Sequence, residues 1–493
     1  MVLAKDLQYL LSDEAKSRQD SPLKAAFKYR MMPGMRSLGG GLPIAELFPF
    51  DNVHMESPAV PFDKGIELKT YDDAKTLDVH ITRAIDQPAQ DDVELRTSLQ
   101  YGVSSGEPRL RDFIKEHTKK VHKIGYEDWD VLISIGNTFT WDATLRTFTN
   151  RGDPILVEEF AFSSALETAS ANGCKAVGVR MDLEGIVPEA LETQMANWVG
   201  PRPKLLYTVP TGQNPTGSSL SAERRQRIYE IAKKYDFLII EDEPYYYLQF
   251  PKYSHPAPGG QHAPCESASS EEMIKSFVPS FLDFDTEGRV IRLDSFSKVI
   301  APGTRLSWIV AQERFIERYL RLEESSAQTP SGFSTSAVYG LLRRWGQDGY
   351  LLWLNKLKSN YAHSRDIACD TIYENFPKGL YEFEPPIAGM FYWIKIDSRR
   401  FKGFKDAGGD PVECEKRLFQ KLIEKNVLVA PGHWFVSTAQ TTPPQPEVPK
   451  TENEKYALYF RGTFAGVSHE VLKSALADVG QVLHEELTEE LAQ

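Results

Sequence analysis

The stretch SAERRQRIYEIAKKYDFLIIEDEPY, residues 221–245, decides the fold. Ser221 has the side chain of a helix N-cap, and Ile228, Ile231, Ala232 and Tyr235 recur at i, i+3, i+4 and i+7 behind it. This amphipathic helix runs directly into the apolar run Phe237-Leu-Ile-Ile240, which reads as a buried strand. Glu241, Asp242 and Glu243 then fall just past the carboxyl end of that strand, where open α/β sheets bind their ligands.

The same alternation extends outward in both directions. Short β-rich runs at Val131–Ser134, Ile155–Glu158, Ala176–Val179, Leu205–Val209, Val290–Leu293 and Leu306–Val310 are separated by helical patterns. Apolar strands spaced by helices predict a largely parallel sheet covered on both faces, an α/β large domain over 71–350. Beyond it, a helical region near Tyr350–Phe376 precedes strands near Met390–Ile396, Val427–Ala430 and Ala457–Arg461, with a helix over Cys414–Glu424. That pattern suits a smaller α+β domain over 351–493, completed by an N-terminal arm over 1–70. The Pro-, Ser-, Thr- and Gly-dense stretches 254–272 and 437–455 read as surface loops that add little to the core.

With 57 basic and 69 acidic residues and no basic stripe, the chain of 493 residues is not built to track a polynucleotide. Cys174, Cys265, Cys369 and Cys414 form neither a CxxC pair nor a Cys/His metal cluster, and read as reduced thiols of an intracellular protein. The N-terminus mixes acids and bases early and lacks an apolar core, which argues against a targeting segment. No stretch reaches the ~20 apolar residues of a membrane span, so the expected location is cytoplasmic.

Three motifs carry chemistry, each at the exit of an expected strand. Asp294-Ser-Phe-Ser-Lys298, followed by Ala-Pro-Gly-Thr-Arg305, sets a lysine, two hydroxyls and an arginine around one turn. The lysine could form a Schiff base with an aldehyde, while Ser295, Ser297 and Arg305 hold a phosphate. Upstream, Pro210-Thr-Gly-Gln-Asn214-Pro-Thr-Gly217 is a tight loop that aims a polar side chain into a cleft. In Glu241-Asp242-Glu243-Pro-Tyr245, a carboxylate beside a pyridine nitrogen would keep that nitrogen protonated. Each motif alone also has a plainer reading: a surface lysine, a strand-to-helix turn, a solvated acidic loop.

Taken in order, NPTG, EDEPYY and SFSK with Arg305 behind it resemble the cofactor site of the fold-type I, pyridoxal-phosphate-dependent class I aminotransferases. LGGGLP, LQYG, PPIAGMFYW and YFRGTF further resemble the aromatic amino acid and 2-aminoadipate aminotransferases of fungi, a branch that includes kynurenine enzymes. The resemblance implies pyridoxal 5′-phosphate linked to Lys298, which also moves the substrate's Cα proton. It implies Asp242 on the pyridine nitrogen, Asn214 and Tyr245 on the phenolic oxygen, and Phe162 stacked on the ring. The phosphate falls to Ser295, Ser297, Arg305 and the Gly136-Asn137-Thr138 turn, with Tyr101 reaching it from a second subunit of a homodimer. Arg461 grips the substrate α-carboxylate in a bidentate fork, for which Arg suits better than Lys. Asn214, Gly41 and Lys24 complete the substrate side, and at Lys24 some relatives carry Arg, which weakens the case for acidic substrates.

The resemblance implies transamination of Phe, Tyr and Trp with 2-oxo acids such as 2-oxoglutarate or phenylpyruvate. Aromatics such as Tyr71, Phe27 and Tyr245 are compatible with such substrates, though aromatics at such positions are as often core. The alternatives are a 2-aminoadipate or kynurenine aminotransferase, a lyase using the same cofactor, and a sensor-type binding protein. The last needs a separate DNA-binding module, and the roughly twenty residues before the resemblance begins are too few to fold as one.

Overall fold

The computed structural model describes residues 2–19, 43–67, 75–83, 92–256, 261–437, 441, 443–445 and 451–492. All seven expected strands form one sheet. They are β1 (Trp129–Ser134), β2 (Pro154–Glu158), β3 (Lys175–Val179), β4 (Leu205–Thr208), β5 (Leu238–Asp242), β6 (Val290–Ser295) and β7 (Ser307–Gln312). The spatial order is β1-β7-β6-β5-β4-β2-β3. Only β7 runs antiparallel to its neighbours, and the other strands point one way.

Every residue of β2, β4, β5, β6 and β7 is buried, as a sheet covered on both faces requires. The pleat sorts side chains between two cores: Leu132, Tyr207 and Ile240 join one, Val131, Leu206 and Ile239 the other. Helices α1 (Asn137–Phe148), α2 (Ser163–Ala171) and α3 (Ala222–Tyr235) lie between the strands in the chain. The Ser221 side chain accepts from the Arg224 amide at 3.3 Å, capping α3 as expected. Ile228, Ile231 and Ala232 are buried beneath it, while Tyr235 is half-buried.

Residues 2–19 run beside α1, where the Ser12 amide donates to the Thr147 carbonyl at 2.8 Å. Helix α4 (Gly332–Asn375) is two helices joined at Gly346, whose φ of 65° suits glycine. Beyond it a second, antiparallel sheet has the order β8-β9-β11-β10. Its strands are β8 (Glu382–Phe383), β9 (Phe391–Asp397), β10 (Ala430–Pro431) and β11 (Ala457–Thr463). Helices α5 (Pro411–Glu424) and α6 (His469–Glu486) pack against this unit. The strand expected over Val427–Ala430 is shorter, because only Ala430 and Pro431 pair with β11 and a proline cannot extend the ladder by its own amide.

Within 254–272, the described part beyond residue 260 is tied to α4: Asn355 exchanges hydrogen bonds with the Ser267 backbone at 2.8 and 3.1 Å. Lys358 adds a third contact, to the Ser267 hydroxyl at 3.0 Å. Among the described residues, no helix is long and apolar enough to cross a membrane.

Candidate active site

The carboxyl ends of β4, β5 and β6 bring the three motifs to one edge of the large sheet. The pleat divides the acid triplet at the end of β5. Glu241 and Glu243 turn to one face, where both accept from the Arg225 guanidinium at 3.3 Å. On that face Arg292 lies 3.5 Å from Glu241 and donates twice to Asp294, at 2.7 and 2.9 Å. These side chains are 0–5 % exposed, so the triplet is not the solvated loop that its sequence alone suggests.

Asp242 turns to the opposite face. Its carboxylate accepts from Asn137 Nδ2 at 2.6 Å and from the Tyr207 hydroxyl at 2.7 Å. It has no cationic partner among the described residues. Burial pushes its pKa up to about 6, against the pull of the Tyr207 and Asn137 hydrogen bonds. Asn137 Oδ1 is buried and accepts no hydrogen bond from any described residue.

Strand β6 ends at Ser295, whose hydroxyl donates to Ser297 Oγ at 2.8 Å and accepts from the Ser297 amide at 3.0 Å. One residue on, Lys298 is half-buried and has no acid partner among the described residues. Burial first, and then the nearby Arg305 charge, lower its pKa, which favours a free amine. Arg305 adopts a left-handed backbone with φ of 51°, and among the described residues its guanidinium donates to the carbonyls of Pro302 at 3.1 Å and Ile135 at 3.5 Å. A Cβ at Gly136 would lie 2.1 Å from the Arg305 guanidinium, and φ there is +104°, so this close approach requires glycine. Gly136 is the N-cap of α1, and Thr138 is exposed in its first turn. An arginine, a lysine and a helix N-terminus with no balancing carboxylate among the described residues make a cradle for an anion.

The third wall comes from the loop after β4 and from the smaller sheet. Gly212, in the Pro-Thr-Gly-Gln-Asn loop, touches Gly389 so closely that a Cβ would lie 2.5 Å from its backbone. This contact explains the glycine of the PIAGM segment. Arg461, on β11, donates from Nη1 to Asn214 Oδ1 at 2.8 Å, and its guanidinium lies between the rings of Phe391 and Phe435, 4.5 and 4.9 Å from their centroids. It too lacks an acid partner among the described residues, and burial lowers its pKa. Tyr245 is buried edge-on to Phe391, and burial, reinforced by Asp242, raises its phenol pKa. Phe162 is half-buried at the start of α2, joined to the smaller unit by the Ala161 amide, which donates to the Phe435 carbonyl at 2.9 Å.

Tyr101 stands apart from these groups within one chain. It is 56% exposed and lines a separate groove of about 610 Å³ with Glu94, Arg96 and Gly332. Lys24, Gly41, Phe27 and Tyr71 lie outside the described residues. Sequence reasoning missed Tyr207, which touches Asp242 from the adjacent strand. Tyr207 registers with Ile240, which shares a face with Asp242, so strand register would have revealed it.

Pyridoxal phosphate fits this donor set. Asp242 lacks the cation that a protonated pyridine nitrogen supplies, and Asn137 Oδ1 lacks a donor. The lowered pKa of Lys298 favours the amine that an aldehyde needs, and the Arg305 cradle suits a phosphate.

Comparison with known proteins agrees with this chemistry. The family model for aminotransferase class I and II matches residues 69–478. An aromatic amino acid aminotransferase of Schizosaccharomyces pombe is 39% identical over 486 residues, 97% of this chain and 98% of that protein. An L-tyrosine:2-oxoglutarate aminotransferase of Tapinella panuoides is 33% identical, over 97% and 96% of the two chains. The crystal structure of aminotransferase Aro8 from Candida albicans superposes with a TM-score of 0.93 at 48% identity, covering 99% of each chain. The chain therefore belongs to the class I and II aminotransferases, which work with pyridoxal phosphate.

Proposed function

We propose that this aminotransferase takes the amino group from phenylalanine, tyrosine or tryptophan and passes it to a 2-oxo acid such as 2-oxoglutarate or phenylpyruvate. The observation that carries the substrate class is Arg461: a carboxylate-gripping cation held between Phe391 and Phe435, with Tyr245 alongside, so that the surroundings of the α-carboxylate are aromatic. The names of the relatives from S. pombe and T. panuoides point the same way.

Bound pyridoxal phosphate supplies the electron sink that makes the substrate's Cα–H acidic. The residues do the rest. Lys298 would hold the cofactor's aldehyde through Nζ, and the same Nζ would move the proton at the substrate's Cα. Asp242 keeps the pyridine nitrogen protonated, and Asn137 and Tyr207 hold the Asp242 carboxylate in place. Arg461 and Asn214 fix the α-carboxylate, Tyr245 and Asn214 orient the cofactor's phenolic oxygen, and Phe162 covers the ring. Ser295, Ser297, Arg305 and the Asn137-Thr138 turn hold the phosphate.

In this reading the chain is a cytoplasmic homodimer in which Tyr101 serves the partner's phosphate site. Residues 71–350 form the cofactor domain, 351–493 a smaller domain, and 1–70 an arm. Initial rates with phenylalanine, tyrosine, tryptophan, 2-aminoadipate and kynurenine, each against 2-oxoglutarate, test the substrate class. The aromatic three should lead in kcat/KM, and a lead for 2-aminoadipate or kynurenine would overturn it.

A further inference from the structure

Glu158 ends β2 with its side chain buried, and it differs from the other buried glutamates of this edge. Glu241 and Glu243 face Arg225, whereas Glu158 has no cationic partner among the described residues. Instead it receives three neutral donors: the Thr208 hydroxyl at 2.7 Å, the Val209 amide at 3.2 Å and Gln213 Nε2 at 2.9 Å. A buried carboxylate without a counter-charge is costly, and nothing in the reaction scheme uses it.

Gln213 spends its whole amide at this point. Nε2 donates to Glu158 and to the Phe160 carbonyl at 2.6 Å, while Oε1 accepts from the Thr216 amide and hydroxyl, both at 2.8 Å. Its backbone closes the same turn, accepting from the Gly217 amide at 2.7 Å and donating to the Ser218 carbonyl at 2.8 Å. The next residue is Asn214, whose side chain receives Arg461. The loop that carries Asn214 is thus pinned to the end of β2 through one glutamine and one glutamate.

We infer that Glu158 and Gln213 are a positioning pair for the substrate carboxylate: they fix the Asn214 side chain and, through it, the direction in which Arg461 presents its fork. This inference rests on the proposed role of Arg461. A carboxylate offers only acceptors, which the three donors around it require. The amide of Glu158→Gln would set an N–H against one of them. Neither residue touches the reacting atoms, so their loss should weaken the grip on the carboxylate far more than the chemical step.

The test uses the cofactor-loaded enzyme and two readouts. One is the Kd of 3-phenylpropanoate, a substrate-shaped carboxylate without an amine; the other is the separate kcat and KM for phenylalanine. Glu158→Gln and Gln213→Met should each raise Kd and KM about ten-fold with kcat changed less than about three-fold, the size of one lost hydrogen bond. The double variant should be no worse than either single one, because both break the same link. Arg461→Ala is the control. If it raises Kd while both positioning variants leave Kd unchanged, the pair has no positioning role. If Arg461→Ala also leaves Kd unchanged, the assignment of Arg461 itself fails. Should Glu158→Gln not accumulate as folded protein, Gln213→Met alone decides the question.

Discussion

Two sets of arginines and lysines lie near the same sheet edge, and they are treated oppositely. On one side of β5, Arg225 and Arg292 are fully buried and each faces acids, Glu241 and Glu243 for the first, Asp294 and Glu241 for the second. On the other side Lys298, Arg305 and Arg461 have no acid among the described residues. The contrast separates charge that holds the fold from charge reserved for ligands. A buried ion pair is balanced internally, whereas a cation left without one in a cleft is balanced by what binds there.

Breaking the paired side should cost the most. Arg225→Met removes the cation that Glu243 faces and leaves Glu241 with Arg292, and is expected to destabilise the protein by about 3–5 kcal/mol, seen as an early denaturation midpoint. An unchanged midpoint would mean that the network is not structural.

On the ligand side, Asp242→Asn should keep the fold while lowering kcat by a factor of about 10²–10⁴, the range of one proton-controlling group. An activity loss accompanied by an equal loss of stability would merge the two sides and weaken the comparison. Arg305→Gln should raise the Kd for pyridoxal phosphate about ten-fold, with an unaltered apoprotein melting curve.

The smallest effect concerns a buried acid away from the paired cluster. Glu323 is 2% exposed, its carboxylate accepts only from the Ser134 hydroxyl at 2.7 Å among the described residues, and burial raises its pKa from 4.5 to about 7. A raised carboxyl pKa favours folding while the group is protonated, and that stability is lost as pH climbs from about 4.5 to 7. Glu323→Gln should therefore gain stability over wild type at pH 8 and show no gain at pH 4. Apoprotein melting at the two pH values reads this directly, and an equal difference at both would refute the pKa shift.

The sheet was legible because a doubly covered strand is largely apolar, and FLII, Ile155–Glu158 and Val290–Leu293 are short runs of mainly aliphatic residues, many of them β-branched. Ser221 and the 3.6-residue stripe behind it likewise state their own structure. The motif side of the site was legible for the same local reason: Asp242 ends a strand, and Lys298 and Asn214 lie in the turns that follow one. What escaped was long-range. Arg225 lies 16 residues before Glu241 and Arg292 lies 51 after it, so the burial of the acid triplet depends on register and crossover that no local pattern encodes. The antiparallel direction of β7 and the contact of Tyr207 with Asp242 were hidden for that reason as well.

The central claim is that Lys298 makes this chain an aromatic aminotransferase. Its most direct test is the visible absorbance of the pyridoxal-phosphate-loaded protein on adding phenylalanine without any oxo acid, beside Lys298→Ala. The account predicts that the yellow band of the wild type is lost with release of one phenylpyruvate per site, and returns on adding 2-oxoglutarate. In Lys298→Ala no phenylpyruvate should form on that timescale. A wild type that stays yellow with phenylalanine, or a Lys298→Ala protein that turns over as fast as wild type, would contradict it.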